Sequence, residues 1–407
     1  MKITKNQWRL VILSIIASGT DDLNVMFLAF SLSSIMADLS LNGAQAGLIA
    51  TITNLGMLLG GLFFGVLGDR HNKLKVFKIT LIIFSLATAG IFFVQNIYTL
   101  YLFRFIAGIG VGGEYGLALA IMSRFVPVDR MGRIAAWNGI AGQVGSIVSA
   151  LIAGVFLTSL GWRGLFLFGL FPLVIVSMLH FLITDEKELN PSEKLLNGHS
   201  KPKISDLFKT KRLAHQTIML MIMTTVQIAG YFGMMNWLPT IMQAQSGLSV
   251  KNSSLWMIAT ILGMSLGMLT FGRLLDTFGP RISFSVFLII SAISVYLFSW
   301  VHSDNALLIA GATMGFFVNG MFPGYGAIVA RLYDQSIQTI ANNVILNVGR
   351  AVGGFSSLII GWLMDGYSVQ AVMIFLSALY IMSFIALQTI PNMNQDAYMK
   401  LKVSYEH

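Results

Sequence analysis

Twelve separate stretches of this chain stay apolar for long enough to cross the roughly 30 Å hydrocarbon core of a bilayer at about 1.5 Å per helical residue. They fall at about 8–36, 44–68, 76–96, 99–124, 134–158, 164–184, 213–242, 253–275, 283–302, 306–331, 339–364 and 370–390. A backbone in lipid has no water to bond, so each stretch must satisfy its own amides, and none shows the short alternating pattern of a barrel strand. The fold class this leaves is an all-α membrane protein of twelve transmembrane helices. Composition agrees: 56% of the residues are hydrophobic and 11% charged, where a soluble domain carries about 25% charge. The opening residues, basic and then briefly apolar up to Ala17, Ser18 and Gly19, have the form of a leader peptide. The apolar character resumes at Val25 and then recurs, so this stretch is expected to be the first span. With no cysteine, disulfide, iron–sulfur and thiolate chemistry are excluded.

Charge placement orients the bundle. With both termini in the cytoplasm, every lysine and arginine except Arg104, Arg163, Lys251 and Arg350 falls at a cytoplasmic end or loop, which is the positive-inside bias. The net charge of +9 is therefore a signature of topology in a cell membrane, and no nucleic-acid partner is expected. The one sizeable loop, 185–212, is rich in charge and contains Pro191 and Pro202. It reads as a solvated cytoplasmic linker between an N-terminal six-helix half, 1–184, and a C-terminal half, 213–407. An internal repeat supports the division: Gly65 to Lys73 ends the second span and Gly272 to Arg281 ends the eighth, with Asp69 and Asp276 lying 207 residues apart. Repeats of this kind build transporters whose halves rock about a site near the bilayer midplane.

Ionisable residues inside the hydrocarbon carry the functional signal, because each costs roughly 2.5–3.5 kcal/mol unless it has a partner or a water-filled cavity. Asp21 and Asp22 stand on the first span, Arg104 and Glu114 on the fourth, and Arg350 on the eleventh. Three acids face two bases, so one carboxyl group is left over to carry a proton. Adjacent residues on a helix point about 100° apart, so Asp21 and Asp22 do not share a face. Arg104 and Glu114 are ten residues, about 15 Å, apart on one helix and do not pair directly. Gly108, Gly112 and Gly116 recur at four-residue spacing between them, a stripe that lets a second helix approach closely.

Arg350 shares a stripe with Asn343 and Asn347, and its planar fork suits the carboxylate of an organic acid. Gln143, Gln227, Tyr231, Asn319 and Tyr325 are further candidates for a substrate cavity, each also readable as interhelical hydrogen bonding. Trp162, Trp237 and Trp300 lie near outer span ends and read as interfacial anchors. The six histidines are scattered; neither a metal cluster nor a phosphate loop is visible, so no cofactor is expected, and the surplus carboxyl group leads to the expectation of a proton gradient as the energy source.

The Gly65–Lys73 stretch resembles the signature loop of the major facilitator superfamily, G-x-L-x-D-R-x-G-R, with Asn72 where glycine is usual and a degenerate copy at Gly272–Arg281. Arg104-x-x-x-Gly108-x-Gly110-x-Gly112-Gly113-Glu114, Pro127-x-x-Arg130-x-Gly132-Arg133, Gly161-Trp162-Arg163 and Trp237-Leu238-Pro239-Thr240 resemble the metabolite:proton symporter groups that carry sialate, aromatic acids and other organic acids. Those groups tend to have two aspartates in D-G-x-D on the first span. Here Asp21 takes the first place and Asn24 the second. The sugar-porter P-E-S-P-R element is replaced by Thr184 to Lys187, and the antiporter proline is missing beside Gly139, Gly142 and Gly145.

The resemblance implies a cytoplasmic gate formed by Gly65, Asp69, Arg70, Arg130, Asp276 and Arg281, and a proton-coupling pair made of Asp21 or Asp22 with Arg104, with Glu114 as a second candidate. It implies a monomeric secondary transporter, not an enzyme, that imports a small organic anion (a monocarboxylate, an aromatic acid or a sialic acid) with protons across the bilayer. A proton-coupled exporter of drugs or metabolites and a transporter-like receptor without flux are the alternatives.

Overall fold

The computed structural model describes residues 4–126, 128–182, 203–301 and 303–396. The side chains of Asp69, Arg70 and Arg130 lie outside what it describes. Its helices are α1 (Lys5–Asp38), α2 (Gly43–Arg70), α3 (Lys73–Gly90), α4 (Ile97–Phe125), α5 (Val128–Leu165), α6 (Phe171–Leu182), α7 (Lys211–Ser246), α8 (Val250–Phe298), α9 (Asp304–Gly320), α10 (Phe322–Leu332), α11 (Gln335–Gly353), α12 (Ser356–Gly366) and α13 (Val369–Thr389).

Thirteen helices make twelve crossings because helix and span do not coincide everywhere. At 49 residues, α8 would be about 74 Å long if straight, more than twice the hydrocarbon thickness. Gly279 breaks it with φ 77°, a left-handed conformation that glycine alone enters cheaply, and Pro280 removes the next amide donor. Gly161, with φ 68°, breaks α5 in the same way. The tenth and eleventh spans are each two helices, interrupted at Met321 and between Gly353 and Ser356. Local chemistry sets the starts. Thr4 with Gln7 and Asn42 with Gln45 form capping boxes for α1 and α2. Asn72 caps α3 by accepting from the amides of Leu74 and Lys75, which accounts for asparagine where the resembling signature has glycine.

The helices group into two compact units, the first built on residues up to 198 together with 249–255, the second on 199–248 and 256–407. The repeat extends far beyond the aspartates. Gly43 and Val250, Ile97 and Asp304, Val128 and Gln335 are helix starts separated by the same 207 residues as Asp69 and Asp276.

Within the first unit α2 and α4 touch through glycine. A Cβ on Gly60 would overlap the Ile109 carbonyl, and one on Gly112 the Met57 carbonyl. Gly56 and Gly108 meet in the same way, with Gly108 seated on the Thr53 carbonyl. Gly116 continues the spacing but faces open space, so the close approach ends one turn earlier than the stripe suggests. α1 and α5 repeat the device, with Gly145 against the Gly19 carbonyl. In the second unit Gly263 and Gly267 on α8 rest on the carbonyls of Ala312 and Phe316 on α9. Phe271, Phe284 and Phe287 pack edge-on around them, joined by Tyr325.

Two tryptophans expected at the membrane interface are interior. Trp237 is 0% exposed and its Nε1 donates to the carbonyl and hydroxyl of Ser357 at 3.1 and 2.9 Å. Trp162 is 5% exposed and donates to Asp38 Oδ2 at 3.2 Å. Arg163 completes that knot: its Nη1 meets Asp38 Oδ2 at 2.7 Å, its Nε donates to the Val94 carbonyl at 2.7 Å, and its guanidinium lies 4.2 Å over the Trp162 ring. Trp300 remains exposed. The described end of the linker also differs from a solvated connector. Ile204–Phe208 is a 3-10 turn with Leu207 fully buried and its carbonyl accepting from Thr217 on α7. The Lys203 amide, then the Lys209 ammonium, hold the Asp206 carboxyl in this turn below the usual carboxylate range.

Candidate functional site

The charged residues of the first unit sit on two helices whose positions are set by small-residue contacts. α1 lies on α5 through Gly19 and Gly145, α4 lies on α2 through Gly108 and Gly112, and the polar side chains project from these supports. Asp21 is 7% exposed, Glu114 0% and Arg104 2%.

Asp21 and Glu114 are neighbours, close enough for each buried carboxyl group to act on the other. Among the described residues no N–H or O–H group donates to Asp21 Oδ1 or to either Glu114 oxygen. A carboxylate has no hydrogen to give, so the two can share a hydrogen bond only while one of them carries a proton. Asp22, one residue on, turns away toward α5, where its Oδ2 occupies the space a Cβ on Gly142 would need. It remains near enough to act electrostatically on both acids. Gln143, one residue after Gly142 on α5, is uncharged, and its Oε1 is buried without a donor. Asn24, in the place of the second family aspartate, donates to the Thr20 carbonyl of its own helix at 2.8 Å.

Arg104 is elsewhere. Its Nε donates to Thr53 Oγ1 at 3.2 Å, and among the described residues it makes no ion pair. The pairing of a first-span aspartate with Arg104, implied by the resemblance, is thus replaced by an acid–acid pair. The reason is helical rise: Asp21 lies at the level of Glu114, about 15 Å along α4 from Arg104. Thr53 was not anticipated. Its only sequence signal is a threonine beside an asparagine in an apolar span.

In the second unit the candidates are scattered over four helices. Gln227 on α7 is buried and donates from Nε2 to the Val318 carbonyl at 2.9 Å, leaving its Oε1 without a donor. Tyr231 stacks edge-on to Phe232. Asn319 is buried, while Tyr325 donates to the Met223 carbonyl at 3.4 Å and packs on Phe284. On α11 Asn343 is exposed, and Asn347 and Arg350 are half-buried; Arg350 already has a partner inside the protein. Of the gate residues, Gly65 faces open space. Asp276 lies 3.9 Å from Arg331 on α10, and Arg281 donates from its amide to the Met393 carbonyl and from Nη2 to the Ile390 carbonyl. Asp69, Arg70 and Arg130 have no described side chains. Among the described residues no group of three or more histidines and carboxylates is placed to hold a metal.

A multi-pass bundle of two repeated halves with charges buried in one of them defines a membrane transporter. The Major Facilitator Superfamily profile matches residues 14–266 and 220–395, and the chain belongs to that family. It is 34% identical to a Haemophilus influenzae protein named only for metabolite transport, over 95% of this chain and 96% of the other. It is 26% identical to the cis,cis-muconate transport protein of Acinetobacter baylyi, over 93% of each. Among solved structures the D-xylose-proton symporter superposes with a TM-score of 0.78 at 14% identity, covering 96% of this chain and 98% of that one; at this identity the likeness is one of fold.

Proposed function

We propose that the protein imports a small organic anion together with one or more protons by alternating access, as a monomer in the cell membrane with both termini in the cytoplasm. The observation that carries this reading is the Asp21–Glu114 pair, two buried carboxyl groups that lie close together with no cation bonded to them among the described residues. With both acids ionised, two negative charges would stand close together at low dielectric, which is costly, so the pair favours holding a proton. Proton binding and anion binding then favour each other: an arriving carboxylate adds negative charge that a proton offsets. The relative named for muconate transport, a dicarboxylate, is in keeping with an acid as cargo. The acid surplus in the N-terminal half favours symport over export.

The test is uptake of labelled benzoate, cis,cis-muconate and N-acetylneuraminate into proteoliposomes with and without an inward proton gradient. Accumulation driven by the gradient supports the reading. Counterflow without any response to the gradient refutes proton coupling. Accumulation only under an outward proton gradient identifies an exporter, and binding without flux identifies a receptor.

A further inference from the structure

We infer that Arg104 is a docking site for the carboxylate of the substrate, supplied by the N-terminal unit alone; this rests on the organic-anion reading above. A guanidinium presents five N–H donors in a rigid fork. Arg104 has one of them satisfied, Nε on Thr53 Oγ1 at 3.2 Å. Its two terminal nitrogens have no acceptor among the described residues, and they are not among the buried polar atoms sealed from accessible space. The residue as a whole is 2% exposed, so an almost fully buried cation opens its double-donor edge onto a small accessible space. A cation held that deep without a counter-charge is costly, and a carboxylate matches the fork with two parallel bonds.

The surroundings fix the fork. Thr53 Oγ1 gives its own hydrogen to the Ile49 carbonyl at 2.8 Å, which leaves its lone pairs for Arg104 Nε and sets the plane of the guanidinium. The Thr53 carbonyl rests on Gly108, one turn beyond Arg104 on α4, so the same glycine contact that joins the helices positions the hydroxyl. The acids do not neutralise this arginine: Glu114 is about 15 Å away along α4, Asp21 lies beside Glu114, and Asp22 is turned to Gly142. Arg350, the expected carboxylate ligand, already has an internal partner. The first unit therefore holds an anion-binding end at Arg104 and a proton-holding end at Asp21–Glu114.

The experiment measures equilibrium binding of benzoate, cis,cis-muconate and N-acetylneuraminate, and of neutral benzamide, to the purified full-length protein in lipid nanodiscs. Wild-type protein, Arg104→Gln, Arg104→Lys, Thr53→Val and Arg350→Gln are compared. The expected result is that wild type binds at least one acid and not benzamide. Arg104→Gln should lose on the order of tenfold or more in affinity and Arg104→Lys nearly as much, because an ammonium offers no fork. Thr53→Val keeps the charge and the volume and should weaken the acid several-fold while narrowing the preference for benzoate over benzamide, a change that mere loss of packing would not produce. Arg350→Gln should lose clearly less affinity than Arg104→Gln. Should Arg104→Gln fail to fold, Thr53→Val and Arg104→Lys decide. If wild type binds an acid and these variants bind it equally well, the assignment of Arg104 is overturned while the organic-anion reading stands. If wild type binds none of the acids, or benzamide equally, both are overturned.

Discussion

The two halves of this chain are built to one spacing and filled with different chemistry. At the common 207-residue offset, Gly56, Gly60, Gly108 and Gly113 of the first half stand opposite Gly263, Gly267, Gly315 and Gly320 of the second. Most of these glycines lie where a Cβ would strike a neighbouring backbone. The charges are not repeated. Arg104 stands opposite Gly311, Glu114 opposite Met321, and Asp21 and Asp22 opposite Ile228 and Ala229, while Arg350 answers to Gln143. The second half thus serves as an internal control: it makes the same helix pairs without acids or an arginine at those places. Packing does not require the first-half charges, and an intramembrane charge that packing does not require is there for chemistry.

The shared part of the comparison breaks most completely at its glycines. Gly60→Leu and Gly267→Leu each drive a side chain into a carbonyl of the facing helix, where even one extra carbon has no room. Overpacking typically costs about 1–3 kcal/mol, and backbone yields less readily than side chains do. Both variants are expected to give little monodisperse protein and a clearly lowered melting temperature. Gly116→Ala and Gly65→Ala, which meet nothing within 4 Å, should stay within about 0.5 kcal/mol of wild type. Wild-type melting for Gly60→Leu would show that the α2–α4 contact is loose enough to admit a side chain.

The unshared part is probed by Asp21→Asn and Glu114→Gln, which mimic the protonated acids. Each should abolish accumulation against a gradient and leave substrate exchange within about twofold of wild type. The sign of the pH dependence follows. Protonation of the pair favours the anion, so apparent affinity in wild type falls as pH rises through the titration of the acids, and the amide variants flatten that slope. Asp22 is the other charged group that acts on the pair, and Asp22→Asn should shift the profile without removing it. If all three amides accumulate substrate normally, the acid surplus has another purpose.

How much of this was legible beforehand depended on which interaction decided each feature. The spans were legible because lipid leaves a backbone no alternative to helix. The close approach at Gly108 and Gly112 was legible too, but a spacing of four reports only that residues share a face, and Gly116 shows that it cannot say where the neighbour ends. Trp162 and Trp237 were misplaced because depth along a span was known and rotation about its axis was not; Asp38 and Ser357 turn both indoles inward. The count of three acids against two bases pointed to a carboxyl group left to hold a proton. Which acids meet was hidden, since it depends on the relative level of α1 and α4, a quantity no single span encodes. The Asp38–Arg163 pair was hidden for the same reason, its members being 125 residues apart.

The finest test compares the two copies of the signature loop. Asp276 is 70% exposed and 3.9 Å from Arg331, the geometry of a surface pair worth about 0–1 kcal/mol. Its loop bends at Gly279 with φ 77° and is held instead by Arg281, which caps carbonyls beyond the last span. The first copy has Asn72 at the corresponding place, in an ordinary extended conformation that starts α3, and keeps the full D-R pair at Asp69 and Arg70. If the gate belongs to the first copy, Asp69→Asn slows substrate exchange severalfold with equilibrium affinity nearly unchanged, because the residue lies in the last turn of α2, sixteen residues or about 24 Å along that helix from Thr53, the partner of Arg104. Asp276→Asn should then change exchange by less than about twofold, since the bonds that shape its loop come from Arg281 and not from the aspartate. Counterflow rates beside equilibrium binding for the two variants decide the point. Equal slowing in both would mean that the degenerate copy gates as well as the complete one, and that the asymmetry between the halves is confined to the buried charges.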